Sequence, residues 1–526
     1  MKKCIALASL LTAVLALPQR SNAGGTAIPG YGSQAQPRAG AFVAKADDPS
    51  AIYHNPAGLV KMSGTVIQLG INLINFSQTF QRSGSYDDCT GAKCPAGGVP
   101  YAGQTYPKTE NTAHGAVSIG DYAVVPLISV VSDLGLDLPM VFAAGVFAPS
   151  VGSADRDIDS DYILQSDPNS PPPPGRYDTL KQEVTVLFPS LAVGYKVNEK
   201  LSIGARISWG FGNLKGVSST WGERNYEEWE GLDAVFSVDA SDSFVPAFGV
   251  GALYQPRANV ELGFNYRSAA SLHTKGTGVP TTGSGLLLGG VEPLSPKVSG
   301  SLSCGPGGTI AAFAACVELE LPRMASLGAR HFWQDTKGRE MADIEFDVQW
   351  ENWSNASDLV NLVDATTPAA IEGIPPSVIR HGFKDVFSFR LGGSYSVPLG
   401  KNTLGFRAGL AYDTETAETS WTRLDQDGFA RTTAALGLAF EVPGWRFELS
   451  GGTVLEGTRV VDHGGCNPDD NNIGCGGNVE APVANRNAPD PAQPTNEGRF
   501  QTQSPFNAGT YEQGYLFLGG GVTAWF

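Results

Sequence analysis

Beyond its first seventeen residues, this chain of 526 residues has no apolar run that could cross a membrane as a helix. Such a crossing needs about 20 consecutive apolar residues. Basic residues are scarce: Lys and Arg total 36 against 52 Asp and Glu, a formal net charge of −16. A surface of that sign repels phosphates, which argues against nucleic acid and anionic lipid as general partners. Histidine is rarer still, with six in the chain, and there is no G-x-S-x-G elbow, H-E-x-x-H pair or phosphate loop. The motif-bearing hydrolase and nucleotide chemistries are therefore not indicated, and the chain is read as a non-enzyme without cofactor or metal. Strand and helix patterns do not alternate and no 20 to 50 residue repeat recurs, which excludes doubly wound α/β and solenoid architectures.

Cysteine is sparse and unevenly placed. Of seven, Cys4 lies in the apolar start, and the other six fall into near neighbours: Cys89 with Cys94, Cys304 with Cys316, Cys466 with Cys475. Six cysteines allow fifteen connectivities, among which local pairing in an exported chain favours loop-stapling disulfides. No histidine stands at ligand spacing beside any pair, so zinc is the weaker reading. The alternating Asp155, Asp157, Asp159 and Asp161 lack the glycine and glutamate of a calcium loop and are read as solvated.

What the chain does have begins at its front. Lys2 and Lys3, the apolar run Cys4 to Leu17, and Ser21-Asn22-Ala23 form an export signal over 1–23, with Gly24 as the expected mature start. Period-two alternation then dominates. In "FSFRLGGSYSV", Phe387, Phe389, Leu391, Tyr395 and Val397 share one face, and Ser388, Arg390, Ser394 and Ser396 the other. In "DIEFDVQW", Ile344, Phe346, Val348 and Trp350 stand against Asp343, Glu345, Asp347 and Gln349. Connections alternate short (near 134–138, 197–200, 255–259, 334–338, 398–402 and 442–444) and long (81–113, 151–177, 216–243, 271–317, 354–383, 415–427 and 461–510). Six short turns and seven long loops join fourteen strands, the even count and asymmetry of an outer-membrane barrel. The chain ends on the apolar strand "YLFLGGGVTAWF", whose terminal Phe526 is the usual signal for barrel-assembly machinery.

Residues 40–64, "GAFVAKADDPSAIYHNPAGLVKMSG", fit neither strand nor helix, since each proline removes a donor and restricts its predecessor. The segment, with its Asn55-Pro56-Ala57, closely resembles the N-terminal signature of the FadL/TodX family of outer-membrane transporters for long-chain fatty acids and other hydrophobic molecules. Further resemblances follow in order: "FAPSVG", "LGFNYRS", "LPRMASLGARH", "VQWENWS", "FKDVFSFRLGGSY" and "LGFRAGLAYD". The resemblance implies an all-β fold: a barrel of about fourteen antiparallel strands over 65–526, plugged by a hatch over 24–64.

The resemblance also assigns roles. Asp47, Asp48, Asn55, Pro56 and Ala57 become the hatch motif. A kink with lateral exit falls at Gly145, Pro149 and Gly152 of the third strand, and Val146 and Phe147 line the route. Gly24, Ile28 and Tyr31 form a movable N-terminal ligand contact, and Arg206 and Lys215 receive a carboxylate. Arg206, Arg390, Arg407, Asp343, Glu345 and Asp347 equally suit an internal ion network that holds the hatch. Expected partners are fatty acids or hydrocarbons, outer-membrane lipid and lipopolysaccharide, in a monomer. A general aqueous porin is the rival, since it would share the barrel and the terminal aromatic but not the hatch.

Overall fold

The computed structural model describes residues 30–86, 88, 95–111, 118–155, 171–221, 229–282, 314–356, 358–364, 377–417, 419, 422–425, 428–461 and 509–526. The signal over 1–23, Gly24, Ile28, Cys89, Cys94, Cys304, Cys466 and Cys475 lie outside these residues. Cys316 is buried and disulfide-bonded.

A closed ring of 14 antiparallel strands makes the wall. In chain order they are β1 (Thr65–Arg82), β2 (Tyr122–Ser132), β3 (Met140–Asp155), β4 (Lys181–Lys196), β5 (Leu201–Trp221), β6 (Asp233–Arg257) and β7 (Val260–Arg267). The second half comprises β8 (Met324–Gln334), β9 (Glu340–Glu351), β10 (Val386–Leu399), β11 (Asn402–Asp413), β12 (Arg431–Val442), β13 (Trp445–Val461) and β14 (Gly509–Trp525). Each strand pairs with its sequence neighbours, and β1 closes on β14 from Val66↔Trp525 to Arg82↔Gly509. The ends are tied by Thr65 and Phe526, each donating its amide to the other's carbonyl at 3.2 and 2.9 Å. Closure leaves no edge, which is what a sheet in hydrocarbon requires.

Alternation along the strands now has a direction. In β10, Phe387, Phe389 and Leu391 are exposed while Ser388 is buried; in β9, Ile344 and Phe346 are exposed while Asp343, Glu345 and Asp347 are buried. The polar faces line the lumen and the apolar faces form an outer band. Tyr195, Tyr254, Trp333, Trp445 and Phe526, all exposed, stand near the short-turn end, as an interfacial aromatic girdle does.

On the opposite end the wall outgrows the bilayer. The segments 216–243 and 271–317, expected as loops, contribute strand: β5 runs to Trp221, β6 starts at Asp233, and Ala270–Thr282 and Ala314–Leu321 pair with each other. Ala270–Thr282 also pairs with β6, and Ala314–Leu321 with Asp358–Asp364. Glycine and proline content suggested loop there, but a ladder already started by its neighbours tolerates such residues.

Candidate functional site

The segment from Gly30 to Met62 packs against the inner faces of the strands, and nearly all of it is buried. Its Asn55-Pro56 step has a local cause: Asn55 caps the 3-10 helix Pro56–Lys61, accepting from Ala57 N, while Pro56 takes the first helical position where no donor is needed. The Asn55 amide also donates to the carbonyls of Val43 at 2.8 Å and of Ala252 in β6 at 3.1 Å, so one side chain joins cap, segment and wall. Asp48 accepts from Ser50 N at 2.8 Å and from Gln68 in β1 at 3.1 Å; Asp47 accepts from Gln34 at 3.0 Å and pairs with Lys45.

Strand β9 supplies a ledge of carboxylates beneath this segment. Asp347 accepts from the amides of Phe42 and Val43 at 2.9 and 3.1 Å, and Glu345 from Ala44 at 2.6 Å. Arg38, fully buried, pairs with Asp343 and Glu345, each at 3.0 Å. On the far side Arg407 pairs with Glu448 at 2.6 Å and donates to Gln34 at 3.0 Å. Of the expected internal ion network, Asp343, Glu345 and Arg407 make ion pairs and Arg390 lies 3.9 Å from Asp413, whereas Asp347 accepts backbone amides; Arg38 is a member that sequence reading missed. Wall glycines make room: a Cβ on Gly409 would come within 2.1 Å of the Arg38 carbonyl carbon, and one on Gly204 within 2.3 Å of that of Pro56.

A cavity lies between this segment and strands β3 to β7 and β9. Phe147, Phe188, Ala247, Ala270, Leu321 and Trp353 give it a mainly apolar lining, and Tyr53, Arg206, Arg267 and Glu351 supply polar groups. A second cavity, more polar, shares Tyr53, Arg267 and Glu351 with the first. Arg206 is buried and donates to the carbonyls of Ile52 and Tyr53 at 3.1 and 3.4 Å. It has no acid within ion-pairing distance among the described residues, and its Nε is buried without a partner. Arg267 donates to Tyr53 Oη at 2.5 Å.

Beside the first cavity the wall is thin. Strands β2 and β3 share only the pairs Ile128↔Val146 to Ser132↔Phe142, although both continue beyond them. Just past Val146, β3 bulges: its register with β4 shifts between Phe147 and Ser150, leaving Ala148 and Pro149 out of that ladder, which resumes at Ser150↔Val186 and holds Gly152 opposite Val184. Val146 faces outward and Phe147 is buried, its ring 5.6 Å from that of Tyr31 and 5.7 Å from that of Tyr53. Gly145 precedes the bulge, where a Cβ would crowd Ser129 and Phe147 at 3.1 Å. The Tyr31 phenol sits in the breach, donating to the Pro126 carbonyl and accepting from Ala148 N at 3.1 Å. Burial pushes this phenol well above its ordinary pKa, so it keeps the proton it donates. Next to it His54 Nε2 lies 2.6 Å from the Tyr31 carbonyl; burial pulls the imidazole down to about 4, leaving it neutral.

The site residues read from sequence thus separate. Phe147 and Arg206 line the first cavity, and Tyr31 lines the second and reaches the breach, with Gly145 and Pro149 next to it in β3. Lys215 does not join them: it is exposed on the outer face of β5, opposite Glu183 and Asp239. Tyr53, Phe188, Arg267, Glu351 and Trp353 line the cavity without having been singled out; only the fold brings them together.

A family model described as outer membrane protein transport protein (OMPP1/FadL/TodX) matches residues 14–442. The chain belongs to this family. FadL/TodX members are β-barrels in the outer membrane of Gram-negative bacteria that transport hydrophobic compounds, and this chain is such a transporter, not an enzyme. Solved structures agree on the fold. A Pseudomonas aeruginosa FadL homologue superposes with TM-score 0.66 at 17% identity, covering 96% of this chain and 100% of its own. The P. putida toluene transporter TodX gives 0.58 at 15%, and the Ralstonia pickettii toluene transporter TbuX 0.57 at 15%; each covers 95% of this chain and 99% of its own. No curated protein matches the chain.

Proposed function

We propose that this FadL/TodX member takes up long-chain amphiphiles with an anionic head, fatty acids above all, and that residues 24–64 act as the hatch that admits and releases them. The observation that carries this reading is Arg206, a buried guanidinium with an unpartnered Nε and no acid within ion-pairing distance among the described residues, on the wall of a mainly apolar cavity. A carboxylate is the partner such a cation lacks, and a charge-assisted bond is the strong kind. The apolar lining removes the chain from water at about 0.8 kcal/mol per buried CH₂. Arg267 and Tyr53 offer a second donor set on the same wall.

Exit follows sideways. The short β2–β3 ladder and the bulge at Phe147 open toward lipid, so an apolar ligand need not cross water to leave. The buried segment 30–62 fills the lumen, which supports a hatch and disfavours an aqueous porin. Lys215, facing outward, has no part in head-group binding.

The test is binding of palmitate and of its methyl ester to the purified barrel. Wild type is expected to favour the acid by about tenfold to a hundredfold, the worth of a charged hydrogen bond. Arg206→Gln is expected to lose that preference and keep ester binding, and Arg206→Lys to recover part of it. Equal binding of acid and ester by wild type overturns the reading and favours a neutral hydrocarbon.

A further inference from the structure

The breach between β2 and β3 has a sequence cause on each side. Continuing the register Ile128↔Val146 by two residues would set Pro126 opposite Ala148. In an antiparallel pair the amide and carbonyl of one residue point to the same neighbour. Pro126 aims its carbonyl at the Tyr31 hydroxyl, so its ring nitrogen also faces the breach and offers no donor there. The pair could make one hydrogen bond where two are normal. β3 carries Pro149 at its bulge, and β4 carries Pro189 opposite Val146, so a proline interrupts each of three consecutive strands at this level.

Into the vacant ladder position comes a side chain. Tyr31 Oη accepts the Ala148 amide at 3.1 Å and donates to the Pro126 carbonyl, joining across the breach the amide and the carbonyl that a Pro126–Ala148 pair could have bonded directly. Its ring is buried, packed edge-on to Phe147 at 5.6 Å and tilted on Tyr53 at 5.5 Å, two residues that line the first cavity, and Tyr31 itself lines the second. An unmet amide and carbonyl at that depth would be costly, which gives the phenol a defined closed position.

We infer that Tyr31 is the latch of the lateral opening: its phenol replaces the missing Pro126–Ala148 ladder pair, and a ligand leaves when that bridge is broken. The inference rests on the lateral-release reading above. Pro126 acts by omission, because it prevents β2 and β3 from zipping shut without the latch. Specificity of timing then belongs to one hydroxyl on the N-terminal segment, and not to the wall.

Tyr31→Phe removes the bridge and keeps the ring. Two measurements on the folded barrel in liposomes test it: hydrogen exchange of the Ala148 amide, without ligand, and transfer of preloaded palmitate into the bilayer. Expected are exchange and release each about tenfold faster, with the paired Ala144 amide unchanged; Pro126→Val, which restores a donor, should slow release. Unchanged exchange at Ala148 overturns the latch, and so does faster exchange with unchanged release. A third variant, Pro126→Cys with Ala148→Cys, ties the strands when oxidised. If release then proceeds at the wild-type rate, the lateral route fails; if release stops while Tyr31→Phe has no effect, the route stands and the latch alone fails. Heat-modifiable migration on gels checks that each variant is folded.

Discussion

Asn55 shows how much one side chain can hold. Its carbonyl caps a 3-10 helix and its amide reaches both Val43 and Ala252, with the residue wholly buried. Asn55→Ala would remove the bonds to the Val43 and Ala252 carbonyls and to the Ala57 amide, a cost on the order of 3 kcal/mol carried by the docked segment, not by the barrel ladders. Uptake should fall while the heat-resistant barrel band on gels persists; normal uptake would refute the assignment. The Asn-Pro step was legible in the sequence because cap and first-turn preferences are local. The partner in β6 was not, since nothing local ties Asn55 to Ala252.

At the scale of elements, β9 and β11 show two ways of receiving the segment. β9 does so by charge: alternate carboxylates take backbone amides and Arg38. β11 does so by absence, since Gly409 lies against the Arg38 backbone. Gly409→Ala would place a methyl where backbone stands, and overpacking of this kind costs about 1–3 kcal/mol. The expected result is faster proteolysis within 30–62 with β11 still in the barrel, measured by limited digestion and mass spectrometry of the folded protein. Period two also settles Arg206 and Lys215. They occupy positions of opposite parity on one strand, so only one can face the lumen. That conflict was readable in the sequence, and the buried one is Arg206.

For the whole molecule, closure is the decisive event. β14 pairs with β1 along one side and with β13 along the other, so it is the strand that removes both edges. Truncation before Tyr515 would expose two apolar strands, and no heat-resistant species should form in a gel-shift refolding assay. A folded, closed product from the truncated chain would show that another pairing can substitute. Alternation and turn asymmetry determined the barrel, its strand count and the outward apolar band, because period two and turn chemistry act over a few residues. Only the tertiary structure decided where the wall is thin, that Arg206 has no acid within ion-pairing distance among the described residues, and that Tyr31 bridges Pro126 and Ala148. Those features depend on register between strands and on contacts between residues far apart in sequence, which a one-residue slip would abolish and no local pattern encodes.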